Sequence, residues 1–218
     1  MIKIKRSPVP PPSLAVEKQK VNGIYNKPDV IKQLKEDSHD KCYICELKGL
    51  SDPEVEHLRP HYGRKIAERV FDWNNLFYVC PHCNNLKKEA KYDDKIIDCC
   101  CDDPEKMLDQ CYKDGRVKVH SIVETESAAM TAELIQECFE KRNTGIREAA
   151  CQHRIDRLAE AMNVLYKTLE NHKEHPDSER YRRSLRSALS RQSAFAAFKR
   201  SYVRKHISDY PDLEEFLA

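Results

Sequence analysis

Residues 42–86, CYICELKGLSDPEVEHLRPHYGRKIAERVFDWNNLFYVCPHCNNL, decide how this chain is read. The segment opens on Cys42-Tyr-Ile-Cys45 and comes to its end around Cys80-Pro-His-Cys83. Two thiolates separated by two residues can share one ion, and two such pairs complete a tetrahedral four-cysteine zinc site with no place left for water. Cys42, Cys45, Cys80 and Cys83 are therefore expected to hold a structural zinc, with His82 a bystander between ligands. The alternative of two redox dithiols lacks the surrounding βαβ pattern. Thirty-four residues lie between Cys45 and Cys80, too many for a plain hairpin. Something must be built inside the loop that the metal clamps.

Inside it stand Glu56-His57-Leu58-Arg59-Pro60 and Asp72-Trp73-Asn74-Asn75-Leu76, and Asn84-Asn85-Leu86-Lys87 follows the last cysteine. This order and spacing closely resemble the HNH endonucleases, with their ββα-metal fold. The fold class expected is α+β, mainly helical, with a small zinc-clamped ββα module. Hydrolysis of a phosphodiester needs a base for water and positive charge for the developing oxyanions. His57 suits the base, since an ordinary imidazole is largely neutral at pH 7. Glu56 and Asn84 offer oxygen ligands for a hard catalytic cation such as Mg²⁺ or Mn²⁺. The resemblance implies that Asn75 holds the base-bearing loop, and it leaves Arg59 and Lys87 as candidate phosphate contacts. Glu56 stands where Asp is commoner and Asn84 where His is commoner; both replacements keep an oxygen ligand.

A weaker resemblance covers most of the chain. The Pro-rich start, Cys-Tyr-Ile-Cys-Glu46, Glu56-His57-Leu-Arg-Pro60, Asp72-Trp-Asn-Asn-Leu-Phe77 and Thr144-Gly-Ile-Arg147 are similar to the retron-associated and Septu (PtuB-type) HNH nucleases of bacterial antiphage operons. That likeness implies an effector nuclease working with an ABC/SMC-like ATPase on nucleic acid, DNA being the substrate expected. The competing reading is a non-catalytic zinc adaptor bridging an ATPase and nucleic acid.

Around the module, residues 1–40 read as an extended Pro-rich arm followed by a short helix from Pro28 to about Asp37. Residues 41–98 form the nuclease module, and 99–218 a mostly helical region for partner or nucleic-acid docking. Within the last region, alternation at Val117 and Val119 suggests a strand. Apolar spacing predicts a helix through Leu134 and Cys138, a longer one from Ile146 to His175–Pro176, and a third over Ser178–Lys205.

Charge is segregated along the chain although the net is only +2. Residues 91–140 carry 6 basic and 13 acidic side chains, whereas 180–207 carry 9 basic and none acidic. Arg182, Arg183, Arg186 and Arg191 thus become candidate contacts to nucleic acid or to a partner; the other reading is a solvated face, or one facing the chain's own acidic segment. The remaining cysteines, among them Cys99, Cys100, Cys101 and Cys111, read as buried or incidental thiols rather than a second metal site. No apolar run approaches the ~20 residues of a membrane span, and the first residues lack a signal-peptide core. A cytoplasmic location with reduced thiols is expected.

Overall fold

The computed structural model describes residues 1–140, 142 and 144–218. Glu54–His57 (β1) and Leu76–Val79 (β2) form an antiparallel pair, with Glu54 opposite Val79 and His57 opposite Leu76. All four residues of β2 are buried, because both faces of the pair are covered. On one face Val55, Leu76 and Tyr78 meet Leu14 of the helix Pro12–Lys18 (α1) and Val30 and Leu34 of Pro28–Asp37 (α2). On the other, Phe77 and Val79 join Tyr43, Leu58 and Leu86, the last from the helix Pro81–Lys87 (α3). Proline at the first position of α1, α2 and α3 suits a site where the missing N–H has no helical acceptor.

A second antiparallel pair, Leu108–Lys113 (β3) and Arg116–Ser121 (β4), turns at Asp114-Gly115, both with positive φ, as a two-residue hairpin requires. It packs against Glu126–Glu140 (α4) and Ala196–Lys205 (α7). Gly145–Glu174 (α5) is capped by the Thr144 hydroxyl and buries Cys151, Ile155, Leu158, Met162, Leu165 and Leu169 as one stripe. Glu179–Leu189 (α6) precedes α7, and a 3₁₀ segment, Pro211–Leu217, follows it. The architecture is α+β, with two small two-stranded sheets among helices. None of these helices is long and apolar enough to cross a membrane.

Two expectations change. The start of the chain is not a free extended arm: Met1, Ile2 and Ile4 are buried, Ile4 N–H donates to the Cys99 carbonyl at 2.8 Å, and Pro12 begins a helix. Four nearby prolines hid an apolar anchor at Met1-Ile2-x-Ile4. The single helix expected over Ser178–Lys205 is broken between Leu189 and Ala196. No proline or glycine breaks it. Lys41 Nζ instead draws in the carbonyls of Arg191 (2.6 Å) and Ser193 (3.2 Å), and Phe195, at φ 51°, donates its N–H to the Glu46 carbonyl.

The segregated charges meet inside the chain. Glu105 is buried and receives Arg200 at 2.6 Å, Arg204 at 2.9 Å and Arg191 at 3.1 Å, while Lys205 reaches Asp109 at 2.5 Å. Arg191 also reaches Asp103 at 3.3 Å. Arg182 pairs with Asp212 at 3.1 Å and with Glu215. The candidate partner contacts Arg182 and Arg191 are thus engaged within the chain. Arg183 and Arg186 are exposed, the latter lying over the Phe216 ring.

Removing one partner of a buried pair leaves a charge stranded, which costs about 3–5 kcal/mol. Glu105→Ala, stranding the buried Arg200, is expected to lower the free energy of unfolding by that amount in urea titrations. Arg182→Ala, at a more solvated pair, is expected to change it by less than about 1 kcal/mol.

Candidate metal centre and active site

The ligand atoms of Cys42, Cys45, Cys80 and Cys83 lie within 4.8 Å of one another, and all four residues are buried. The first pair sits in the turn before β1 and the second begins α3, with Cys80 as its N-cap and Cys83 in its first turn. Among the described residues this is the one group of three or more Cys, His, Asp or Glu arranged to hold an ion. Four buried sulfurs in this arrangement fit a structural metal such as zinc. Four thiolates around a dication carry a net negative charge, and α5 supplies a counter-charge that the motifs do not reveal. Arg154 is buried, with Nη2 at 2.9 Å from Cys80 Sγ and Nη1 donating to the Ala150 carbonyl. His82 lies outside the cluster, its Nε2 donating to the Cys138 carbonyl at 3.1 Å, and burial lowers its pKa to about 4.

At the other end of the β1–β2 pair a cleft of about 350 Å³ is lined by Glu56, His57 and Asn84, together with Tyr25, His61 and Lys88. His57 closes β1. Its Nε2 donates to the Val70 carbonyl at 3.0 Å, so the lone pair of the neutral ring resides on Nδ1. Desolvation lowers its pKa to about 4. Asn75, buried at the entry to β2, fastens the intervening loop with three bonds. Its Oδ1 accepts from Arg59 N–H at 2.7 Å, and its Nδ2 donates to the carbonyls of Arg59 (2.9 Å) and Arg69 (3.0 Å). The residue after Arg69 is the one whose carbonyl orients His57. Asn75 and His57 therefore act on the same stretch of loop.

Glu56 is buried with both oxygens engaged: Oε1 accepts from the Tyr43 hydroxyl, and Oε2 lies 3.3 Å from Lys87 Nζ. Burial raises its pKa, against the opposing pull of Lys87. Asn84 donates its Nδ2 to Glu54, which leaves Oδ1 as its free acceptor. Asn84 and Lys87 stand one turn apart on α3 and so share a face. Lys87 is no free phosphate contact: its buried ammonium also donates to the carbonyls of His57 and Leu58, each at 3.0 Å. Arg59 Nη1 is buried without a hydrogen-bond partner.

Three contributors to the cleft were not singled out by their motifs. His61 packs edge-on to His57 with ring centroids 4.5 Å apart, and its Nδ1 accepts from Arg64 N–H at 2.9 Å, which puts the proton on Nε2. Tyr25, from the α1–α2 connection, meets the His57 ring at the same 4.5 Å. Glu54, two residues before Glu56 on β1, orients Asn84. The second histidine four residues after His57 was the available signal; nothing in the local sequence places Tyr25 there.

No family model matches the chain. It is similar to the Septu protein PtuB of Bacillus thuringiensis, with 31% identity over 141 residues that cover 57% of this chain and 53% of the relative. The chain thus spans about half the length of the curated relative it matches.

Elemental analysis of purified protein is expected to find one zinc per chain, lost in Cys42→Ser and Cys80→Ser and retained in the exposed, off-site Cys101→Ser. Arg154→Leu keeps every ligand but removes the counter-charge. Since outer-shell partners typically contribute about 10–100-fold to metal affinity, this variant is expected to surrender zinc to a competing chelator in that ratio.

Proposed function

We propose that this chain is a metal-dependent HNH endonuclease of the Septu type, hydrolysing nucleic-acid phosphodiesters, DNA in the first instance. The observation that carries the reading is the orientation of His57: its Nε2–H is fixed on the Val70 carbonyl, on a loop that Asn75 fastens, in a cleft it shares with Asn84 and Glu56. The order strand, strand, helix, with one cysteine pair before the first strand and the other at the start of the helix, supports the ββα-metal assignment. The similarity to Septu protein PtuB supports placing the chain in an antiphage defence system of that type, and the partner proposed with it is an ABC/SMC-like ATPase.

In this reading His57 Nδ1 takes the proton of the attacking water. Keeping the imidazole neutral by burial leaves that nitrogen unprotonated at pH 7. His61, with its proton on Nε2, donates to a phosphate oxygen, and Arg59 contributes positive charge. Glu56 and Asn84 Oδ1 are hard oxygen donors and would hold a Mg²⁺ or Mn²⁺ ion, which when bound supplies Lewis-acid stabilisation of the phosphate oxygens. Lys87 keeps Glu56 paired and anchors the end of β1 through the His57 and Leu58 carbonyls, so its role is positioning.

Wild-type protein, assayed with and without its ATPase partner in Mg²⁺ and in Mn²⁺, is expected to cleave nucleic acid. His57→Ala is expected to lose about 10²–10⁴-fold in rate while keeping its zinc. Absence of cleavage in every wild-type combination, or full activity in His57→Ala, would overturn the nuclease reading in favour of a zinc adaptor.

A further inference from the structure

Arg182, Arg191, Arg200, Arg204 and Lys205 of the basic tail are paired within the chain, and further uncommitted cations stand in the segment whose sequence is most acidic. On the β3–β4 hairpin Val117 and Val119 face inward while Arg116, Lys118 and His120 face outward. Lys113 stands directly opposite Arg116 across the ladder, and Lys118 opposite Cys111. Among the described residues none of Lys113, Arg116 and Lys118 has a carboxylate within ion-pair distance, in contrast to Lys205 on the adjoining helix, which is held by Asp109. Like charges placed directly opposite one another destabilise a hairpin. The ribbon carries that repulsion without an internal partner to relieve it.

Two clefts flank the tip of this hairpin. One, of about 430 Å³, is lined by Lys113, Arg116 and Lys118 with Cys111 and Asp114. The other, of about 640 Å³, shares Cys111, Lys113 and Asp114 with the first and is walled by aromatic rings. Tyr166 and Tyr202 lie 4.7 Å apart between centroids, and His206 stacks on Tyr202 at 4.2 Å and 26°. Tyr112, half-buried, completes the wall and accepts the Tyr166 hydroxyl at its carbonyl. A cationic cleft adjoining an aromatic one is the pairing that binds single-stranded nucleic acid: charge tracks the phosphates, and flat rings stack the unpaired base whatever its identity. Three cations against the single Asp114 carboxylate set the sign of the ligand.

We propose that the β3–β4 hairpin tip is a nucleotide-binding subsite, which takes a phosphate on Lys113, Arg116 and Lys118 and stacks the attached base in the Tyr112–Tyr166–Tyr202 cleft. It shares no lining residue with the His57 cleft, and it does not rest on the nuclease reading, because binding is measured without cleavage. The ligand chemistry is that of a nucleotide unit, supplied either by a strand or by a free mononucleotide.

The test is fluorescence anisotropy in a His57→Ala background without added Mg²⁺. The probe is a short fluorescein-labelled single strand, with the same strand as duplex and an unlabelled mononucleotide as competitors. The three cations, K113Q, R116Q and K118Q combined, are exposed and mutually repulsive, so the variant is expected to keep its melting temperature and zinc content. Its plot of log Kd against log salt is expected to flatten by about 0.7, the contribution of the one phosphate lost from a single strand. Tyr202→Leu is expected to weaken the single strand by about 5- to 150-fold, the range of one base stack, without changing the salt slope. Competition by the mononucleotide at the strand's own affinity would assign the site to free nucleotides, and its failure to strands. Unchanged affinity in both variants overturns the proposal. So does a salt slope that falls while Tyr202→Leu is silent, which leaves a phosphate-binding ribbon with no base site. Loss of binding to the ATPase partner in the triple variant, with oligonucleotide binding intact, overturns it in favour of protein docking.

Discussion

Two pairs of sulfurs separated by 34 residues converge on one point, and most of the molecule is arranged around that convergence. The first pair carries Lys41 and Glu46 on its flanks, which reach into the α6–α7 connection. The second pair is the beginning of α3, so the start of that helix is set by the convergence of the four sulfurs as much as by its own propensity. Seven residues are too few for a helix to stand alone in water. Arg154 then brings α5 onto the cluster, making the long helix an electrostatic partner of the centre as well as an apolar lid. Buried charge of one sign is tolerated only beside its opposite, so knuckles and helical region are interdependent here.

From the fixed start of α3 the candidate active site follows by geometry. Asn84 lies next to Cys83, and Lys87 one turn further along the same face, so both meet β1 at Glu54 and Glu56. β1 is held in turn by β2, and the loop between them is closed by Asn75. The side chains that face the cleft therefore come from a strand, a helix and a stapled loop. Each is positioned by groups that lie outside the cleft itself. A displacement of the cysteine cluster would be felt at His57 through a path of bonded groups, with Lys87 linking helix and strand directly.

The parts of this arrangement that were legible in the sequence are those written in short spacings. Cys-x-x-Cys twice, Glu-His before Pro, and Pro28 through Asp37 all declare themselves because every determinant lies within a few residues. The α5 stripe was legible for the same reason, its apolar period running from Cys151 to Leu169, although Ile146, where the expected helix begins, is exposed. What escaped depends on long-range partners. The α6–α7 break is imposed by Lys41 and Glu46, about 150 residues away in sequence. Tyr25 reaches the His57 ring only because α1 and α2 fold over the sheet. Lys87, a candidate phosphate contact in the sequence, is enclosed by three oxygens. Periodicity reports a side chain's environment well for apolar residues. For a long charged side chain it does not, since stem and head can be in different surroundings.

Charge illustrates the same limit more sharply. Counted along the chain, the acidic 91–140 segment and the basic 180–207 segment invite separate partners. In space they satisfy one another: Asp103, Glu105 and Asp109 absorb Arg191, Arg200, Arg204 and Lys205. Subtracting those pairs shrinks both local excesses. The tail keeps Arg183 and Arg186 exposed, and the hairpin within the acidic segment carries cations of its own without a carboxylate partner among the described residues. Attraction between exposed charges fades over about 10 Å at moderate salt, so what a nucleic acid meets on approach is the residue of this subtraction rather than the count of any segment. A helix rich in arginine is therefore weak evidence for a nucleic-acid surface when an acidic stretch of comparable charge lies in the same chain. The stronger sign is a cation that has no carboxylate within reach after folding.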